Sequence, residues 1–254
     1  MCWRAFGTGA PLVLLHGGHG SWLHWIRNIA ALAASHRVLV PDLPGYGDSD
    51  AAPAESGFPG LVDTVIASID RLLGAGAAFD LAGFSFGGVV AGCVAQNHPG
   101  VRRLALLGAV GHGRRRRQAG AMLGWHGVAD EQTMLANMRH NLGVLMLHGP
   151  VDPLALEIHR RSCIATRFQS KKTSLSPVLT GVLERLAMPL LMLWGEHDPT
   201  GDPAEVGLLW QGDRAERACG IVPGAGHWVQ YEAAAEVNQR LLEWFAPARR
   251  THAA

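Results

Sequence analysis

Residues 81–90 read LAGFSFGGVV, a stretch with the spacing G-x-S-x-G and Ser85 at its centre. An apolar run (79–83) precedes the serine, and a helical pattern (86–98) follows it. A serine presented at a sharp strand-to-helix turn adopts a sparsely allowed backbone conformation, and its neighbours must be small because larger side chains would clash there. The stretch therefore predicts a nucleophilic serine at such a turn. The competing interpretation is a glycine-rich turn that carries a serine by chance.

Short apolar runs bounded by glycine, proline or aspartate recur along the chain. Their apolarity is continuous rather than alternating, which is typical of parallel strands covered on both faces. Alanine- and leucine-rich stretches separate them, and this alternation of strands and helices indicates a doubly wound, mostly parallel α/β sheet. The predicted strands are 12–16, 37–42, 79–83, 102–108 and 190–195, and the predicted helices are 22–35, 61–74, 86–98 and 231–245.

The alternation breaks in the middle of the chain. The interrupting segment contains four consecutive arginines (114–117) and Met and Leu residues at helical spacing, but no convincing strand pattern. We interpret residues 112–187 as a helical cap inserted into a single core, which residues 1–111 and 188–254 form. The sequence contains no internal repeat or low-complexity linker that would favour two independent domains.

The composition of the 254-residue chain limits the classes of function. Lys and Arg number 22 against 21 Asp and Glu, so nothing indicates a nucleic-acid or membrane partner, and the arginine run is interpreted as a solvated or anion-facing patch. Four scattered cysteines favour a reducing compartment and no metal site. No apolar run reaches the roughly 18 residues of a membrane span, and no signal-peptide pattern opens the chain. We expect a cytoplasmic protein that acts on a small molecule, and we leave a homodimer open.

A serine hydroxyl needs a general base, and the base needs an acid that orients it. When such a serine lies on a doubly wound sheet, the chain order is serine, acid, histidine. The stretch WGEHDPT offers Asp198, preferred over Glu196 because it lies a loop's length past the predicted strand. The stretch VPGAGHW offers His227 as the base, and His197 and His252 are weaker candidates. We predict that Asp198 and His227 complete a catalytic triad with the serine.

Catalysis by a triad also needs backbone N–H groups that bind the developing oxyanion. The turn itself supplies the N–H of Phe86, the first residue of the following helix. The loop HGGHG (16–20) supplies a second, and Gly18 is the candidate because glycine lets a substrate approach the backbone closely. This loop lacks the lysine of a P-loop and the spacing G-x-G-x-x-G, so a nucleotide site is disfavoured.

Five stretches, in the same order and at similar spacing, resemble the α/β-hydrolase superfamily: LVLLHGG, VLVPDLPGYGDSD, LAGFSFGG, WGEHDPT and VPGAGHW. The resemblance implies the α/β-hydrolase fold and a Ser-Asp-His triad, and it requires neither a metal nor an organic cofactor. HGGHGSWLHWIRNI (16–29), with Trp228 directly after the base, resembles the meta-cleavage-product hydrolases, which split carbon–carbon bonds of dienoates. Only about ten residues precede LVLLH. We therefore expect the family's first strand to be absent, with either a sheet one strand short or a misplaced start.

The resemblance also implies substrate-binding residues. In those hydrolases a cap arginine holds the substrate carboxylate, and the stretch EIHRRSCIATR offers Arg160, Arg161 and Arg167, between which spacing does not decide. The ordinary interpretation of each is a solvated helix charge. Two positions depart from the family pattern, since Phe84 and His24 stand where those hydrolases have asparagine. The other predicted pocket residues are Gly17, Trp125 and Trp228.

These features predict a serine hydrolase that cleaves a small, largely apolar acyl substrate, either a carboxylic ester or the C–C bond of a diketone or dienoate. The form GFSFGG is closer to esterases and to cofactor-free haloperoxidases or perhydrolases, whose activity is an alternative. A non-catalytic ligand binder on the same fold is a second alternative, disfavoured because all three triad residues are present. Ser85 argues against dehalogenases and epoxide hydrolases, which use an aspartate nucleophile on this fold.

Overall fold

A computed structural model of the chain describes residues 1–51, 56–117 and 120–246. These residues form one mixed sheet with a hydrophobic core on each face. The seven strands in the described part of the chain are β1 (Trp3–Phe6), β2 (Ala10–Leu15), β3 (His36–Pro41), β4 (Phe79–Phe84), β5 (Val101–Leu107), β6 (Leu190–Gly195) and β7 (Arg217–Val222).

The sheet has the spatial order β1-β3-β2-β4-β5-β6-β7. β1 is antiparallel to β3, and every other neighbouring pair is parallel, which confirms the predicted doubly wound α/β sheet. A 3₁₀ helix spans Trp22–Trp25, and the described α-helices are α1 (Ile29–Ala33), α2 (Gly57–Leu73), α3 (Phe86–Asn97), α4 (Glu131–Leu145), α5 (Pro153–Ile164), α6 (Lys171–Leu175), α7 (Val178–Leu183), α8 (Pro203–Gln211), α9 (Val229–Glu232) and α10 (Ala234–Phe245). Of these helices, none combines the length and the apolarity that crossing a membrane requires.

The continuous apolarity of the central strands follows from burial on both faces. In β2, Leu12 and Leu14 pack in one hydrophobic core, whereas Val13 packs in the core on the opposite face. All three side chains are fully buried. Because successive strand residues point to opposite faces, a strand covered on both sides is apolar at every position. The carboxyl ends of the parallel strands lie at one edge of the sheet, so the loops that follow these strands lie close to one another.

The sequence patterns miss both edge strands. β1 lies before the LVLLH run and is not among the predicted strands, whereas the absence of the family's first strand stays a prediction. Its residues are half-buried or exposed, because an edge strand of this kind is open to solvent on one side. β7 includes Arg217, Cys219 and Gly220 and therefore lacks a continuous apolar run. The predicted helix over 22–35 is instead a 3₁₀ turn followed by the short helix α1.

Between β5 and β6 the described residues form α4 to α7 and no strand. α7 packs on α3, and its Leu179 and Val182 belong to a hydrophobic core shared with the sheet. This helix therefore contributes to the core although it falls within residues 112–187. The division of the chain into a core and an inserted cap stays a prediction.

Candidate active site

Ser85 lies at the sharp turn between β4 and α3. Its backbone has φ 53° and ψ −118°, and this positive φ is rare for residues other than glycine. The flanking glycines permit the turn, since a methyl group at Gly83 would collide with the carbonyl of Gly87, and one at Gly87 with the carbonyl of His16. The N–H of Ser85 donates to the carbonyl of Leu107 at 2.9 Å and so ties the turn to β5. The strained strand-to-helix turn follows directly from this glycine spacing.

The structure brings Ser85, His227 and Asp198 into one hydrogen-bonded chain. The Nε2 atom of His227 lies 2.9 Å from the Oγ of Ser85, and its Nδ1 atom lies 2.9 Å from the Oδ2 of Asp198. Asp198 is fully buried, and His227 is only 3% exposed. Because a carboxylate only accepts hydrogen bonds, Asp198 places the ring hydrogen on Nδ1 and leaves Nε2 able to accept the serine proton. The three residues follow the carboxyl ends of β4, β6 and β7.

Thr200 holds the second oxygen of the Asp198 carboxylate. Its backbone N–H and its hydroxyl donate to Oδ1 at 2.8 Å and 2.7 Å. Sequence reasoning missed Thr200, although an aspartate that accepts from the backbone two residues on is a common turn pattern. The competing candidates Glu196 and His197 are both exposed, and neither hydrogen-bonds the serine. His252 lies outside the described residues.

The N–H groups of Phe86 and Gly18 are the candidates for binding a developing oxyanion. Phe86 begins α3, so its N–H has no partner within that helix. Gly18 lines the same cavity as Phe86, and a side chain at this position would meet the Ser170 hydroxyl at 2.6 Å. No backbone carbonyl of the described chain accepts either N–H. The neighbouring N–H of Gly17 is occupied, since it donates to Nδ1 of His24 at 3.2 Å.

A cavity with two adjoining lobes lies in front of the serine. The serine lobe has a volume of about 310 Å³ and the histidine lobe about 170 Å³. Both are lined by Gly18, His19, Met122, Leu145 and Met146; the serine lobe adds Ser85, Phe86, Val110, Arg116, Ser170, Lys171, Ser174, Thr200 and His227, and the histidine lobe adds His24, Trp125, Asn141, His159 and Cys163. Nowhere in the described residues do three or more metal-ligating side chains form a group that could hold an ion.

The imidazoles in and behind the histidine lobe are neutral at neutral pH. Burial lowers the pKa of His159 to about 4 and is the main cause that holds the pKa of His24 well below its ordinary value. Burial also lowers the pKa of His16 to about 4. The Nε2 atom of His16 accepts from the N–H of Leu43 at 2.9 Å, and its Nδ1 donates to the carbonyl of Gly17 at 2.8 Å. His16 therefore braces the loop that carries the candidate oxyanion N–H.

Five of the predicted substrate-binding residues fall into two groups. His24 and Trp125 line the histidine lobe. Gly17, Phe84 and Trp228 lie in the layer behind the cavity walls. Phe84 is fully buried with its ring 5.3 Å from that of His24, and a side chain at Gly17 would meet the Phe84 ring at 3.1 Å. Trp228 is also fully buried, and its Nε1 donates to the carbonyl of His24 at 2.9 Å.

The structure does not bring Arg160 or Arg161 to either lobe. Both form ion pairs with Glu157, at 2.8 Å and 2.5 Å. Arg167 instead donates to backbone carbonyls, among them that of Ser49. Arg160 and Arg161 are thus not part of the cavity wall, because a carboxylate one turn earlier on the same helix pairs with both guanidinium groups.

Two other cations, Arg116 and Lys171, line the serine lobe. Within the arginine run, Arg114 and Arg117 form ion pairs with carboxylates at the start of α8, at 3.3 Å and 3.0 Å. Arg116 is exposed and has no carboxylate within ion-pair distance in the described part of the chain, and partial desolvation lowers its pKa. The run of four arginines indicated a positively charged segment, but the sequence pattern does not tell which of the four lines a cavity.

Residues 12–240 match the model of the alpha/beta hydrolase family. The dihydrolipoyllysine-residue acetyltransferase component of the acetoin cleaving system of Pseudomonas putida is 33% identical over 92% of this chain, and the chain spans 63% of that longer protein. The 2-hydroxymuconate semialdehyde hydrolase of Pseudomonas sp. (strain CF600) is 28% identical, over 95% of this chain and 89% of the relative.

Solved structures share the fold. The esterase RhEst1 from Rhodococcus sp. ECU1013 superimposes with a TM-score of 0.75 at 21% identity, over 95% of this chain and 92% of the esterase. The likeness extends across the sheet and the intervening helices, since nearly all of both chains is covered. With a family match that runs from β2 into α10, the chain belongs to the alpha/beta hydrolase family.

Proposed function

We propose that this protein is a serine hydrolase that cleaves a small, largely apolar acyl compound, either a carboxylic ester or the C–C bond of a diketone or dienoate. The observation that carries the proposal is the chain Ser85–His227–Asp198, whose two hydrogen bonds both measure 2.9 Å. The cavity in front of the serine supports a substrate of small size. A relative that is named a 2-hydroxymuconate semialdehyde hydrolase supports the C–C bond as one target.

Acylation begins when the Ser85 hydroxyl attacks the substrate carbonyl. His227 takes the hydroxyl proton on Nε2, and the carboxylate of Asp198 stabilises the imidazolium that forms. The N–H groups of Phe86 and Gly18 donate to the oxyanion of the tetrahedral intermediate. His227 then gives the proton to the departing group, which is the alkoxide oxygen of an ester or the carbanion of a diketone. An acyl-enzyme remains on the serine.

Deacylation repeats these steps with water. A water molecule in the serine lobe gives a proton to His227 and attacks the acyl carbon. The serine oxygen leaves and recovers its proton from His227, and the carboxylic acid product is released.

The walls of the serine lobe support a substrate that carries an anionic group. Arg116 and Lys171 provide two cations there, whereas Leu145 and Met146 provide an apolar wall. We infer a substrate whose apolar part contacts this wall and whose carboxylate faces Arg116. A guanidinium and a carboxylate form charge-assisted hydrogen bonds, which are stronger than those between neutral groups.

Ser85→Ala tests the reaction class. We expect hydrolysis of p-nitrophenyl esters and of a dienoate ring-cleavage product to fall at least about 10³-fold, because the nucleophile is lost. The control is Ser35→Ala, which removes the hydroxyl of an exposed serine next to β3 and should leave both rates unchanged. Turnover that survives Ser85→Ala would contradict the proposal. The ratio of the two wild-type rates separates an esterase from a C–C bond hydrolase.

Arg116→Gln tests the anionic substrate. We expect KM for p-nitrophenyl hemisuccinate to rise about tenfold, as for loss of a hydrogen bond to a charged group, with little change for p-nitrophenyl butyrate. Arg115→Gln is the matched control, since Arg115 is exposed like Arg116 but does not line either lobe. An equal rise in KM for both esters would show that Arg116 does not recognise the charge.

We also propose a cytoplasmic location. All four cysteines are free thiols, and two of them, Cys93 and Cys163, are buried. Free thiols are typical of reducing compartments, which supports this location.

A further inference from the structure

Glu232 accepts hydrogen bonds from three backbone N–H groups that belong to two different loops. Its Oε1 accepts from His148 at 2.9 Å and from Gly149 at 2.8 Å, in the loop between α4 and α5. Its Oε2 accepts from Gly226 at 2.6 Å, directly before His227. Hydrogen bonds to a carboxylate are stronger than those to a neutral acceptor. One side chain thus joins two loops that are distant in sequence, and we call this arrangement the Glu232 clamp.

The two loops meet closely around the clamp. The N–H of Trp228 donates to the carbonyl of Met146 at 2.7 Å. A side chain at Gly226 would lie 2.7 Å from the backbone nitrogen of His148 and 3.0 Å from Oε2 of Glu232, so glycine is required there. Within the described residues no cation lies at ion-pair distance from Glu232. Its carboxylate therefore serves these backbone donors and not a surface ion pair.

The loop between α4 and α5 also borders the substrate cavity and the loop of the catalytic acid. Met146 at its start lines both lobes. The ring of His148 stacks on that of His197, with 3.6 Å between the ring centroids, and His197 directly precedes Asp198. The loop therefore contacts the cavity wall, the loop of the base and the loop of the acid.

We propose that Glu232 is a positioning residue for His227. The Glu232 clamp holds the imidazole at hydrogen-bonding distance from Ser85 and couples this distance to the cavity wall at Met146. The proposal rests on the proposed role of His227 as the general base. Misplacing a catalytic group by about 1 Å can lower a rate about 100-fold. Loss of the clamp should therefore lower kcat for a small neutral ester more than it changes KM.

Glu232→Gln tests the clamp with little change in side-chain size. A glutamine has one oxygen acceptor and an NH₂ group that only donates, so one of the two loops loses its partner. We expect kcat for p-nitrophenyl acetate to fall about 10- to 100-fold. Labelling of Ser85 by a small organophosphorus fluoride should slow by a similar factor, because it needs the base but not the cavity wall.

The matched control is Glu236→Gln, which removes a carboxylate four residues along the chain that pairs with Arg240 on α10. It should leave kcat and the labelling rate unchanged. Equal losses in both variants, or no loss in a folded Glu232→Gln protein, would overturn the proposal.

Hydrogen exchange on the wild-type protein gives a test that does not depend on how a variant folds. The clamp requires slow exchange at the amides of His148, Gly149 and Gly226, since each donates to Glu232. Fast exchange at these three amides would overturn the clamp and leave the hydrolase proposal intact. Activity that survives Ser85→Ala would contradict the hydrolase proposal itself, so the two failures are distinguishable.

Discussion

Asp198 receives two hydrogen bonds from Thr200 on the oxygen that does not face His227. We predict that Thr200→Val, which removes only the hydroxyl donor, lowers kcat about tenfold, because a hydrogen bond to a charged group contributes about 1.5–3 kcal/mol. The carboxylate is fully buried, so solvent does not replace the lost donor. Steady-state kinetics on a p-nitrophenyl ester measure the change.

The control for this substitution is Thr64→Val. The Thr64 hydroxyl donates to the carbonyl of Gly60 within α2, so its loss removes a hydrogen bond far from the triad. Activity should stay at the wild-type value. A loss of equal size in both variants would assign the effect of Thr200→Val to general destabilisation.

The sequence around a residue predicted its position in the structure better for some residues than for others. Ser85 and His227 were placed from the glycines around them, because a strained turn or a close loop leaves a local pattern. The place of Arg160 was not predicted, because its ion pair with Glu157 decides where the guanidinium points. An arginine in solvent and an arginine that binds a ligand can occupy the same position in a helical sequence pattern. Arg116 was hidden within a run of identical residues. Local strain is readable from sequence, whereas the pairing of charges is a property of the folded chain.

At the scale of elements, the loop after β2 and helix α5 carry histidines that make stability depend on pH. His16 and His159 have folded-state pKa values of about 4, below the ordinary 6.5. The unfolded chain therefore binds more protons than the folded one between these values, and the free energy of unfolding falls as the pH drops from 6.5 to 4. We predict that Tm declines over this range.

Calorimetry from pH 7 downward measures that decline, and His159→Gln should make it shallower by removing one of the contributing imidazoles. A Tm that stays level through this range in the wild-type protein would contradict neutral burial of these imidazoles. An equally steep decline in the variant would assign the effect to other groups.

Strands that are buried on both faces were predicted from the sequence, whereas the exposed edge strands were not. Strands β2 to β6 overlap the predicted runs, because burial on both faces gives each of them a continuous apolar stretch. The edge strands β1 and β7 carry polar or small residues and were missed. Helix α7 was assigned to the inserted segment, yet Leu179 and Val182 pack in the core of the sheet. Chain order alone does not show which helix turns back to the sheet.

At the scale of the whole molecule, the fold and the cavity depend on different parts of the chain. The family match over residues 12–240 and the TM-score of 0.75 reflect the sheet and its helices. A relative that is named a hydrolase and a relative that is named an acetyltransferase component both align with more than nine-tenths of this chain. We therefore expect the side chains that line the lobes to distinguish one substrate from another, and these come together only in the folded chain.

Ser85, Asp198 and His227 follow the carboxyl ends of β4, β6 and β7, whereas the lobe residues Arg116, Met122, Trp125 and Lys171 come from the segment between β5 and β6. Natural selection can therefore act separately on the residues that follow these strands and on the segment between β5 and β6. Substitutions in that segment can change which substrate binds without moving the proposed nucleophile. Closely related genes can therefore evolve to act on different substrates through the same reaction. A change in the loop between α4 and α5 would differ, because through Glu232 it would also reach the proposed base.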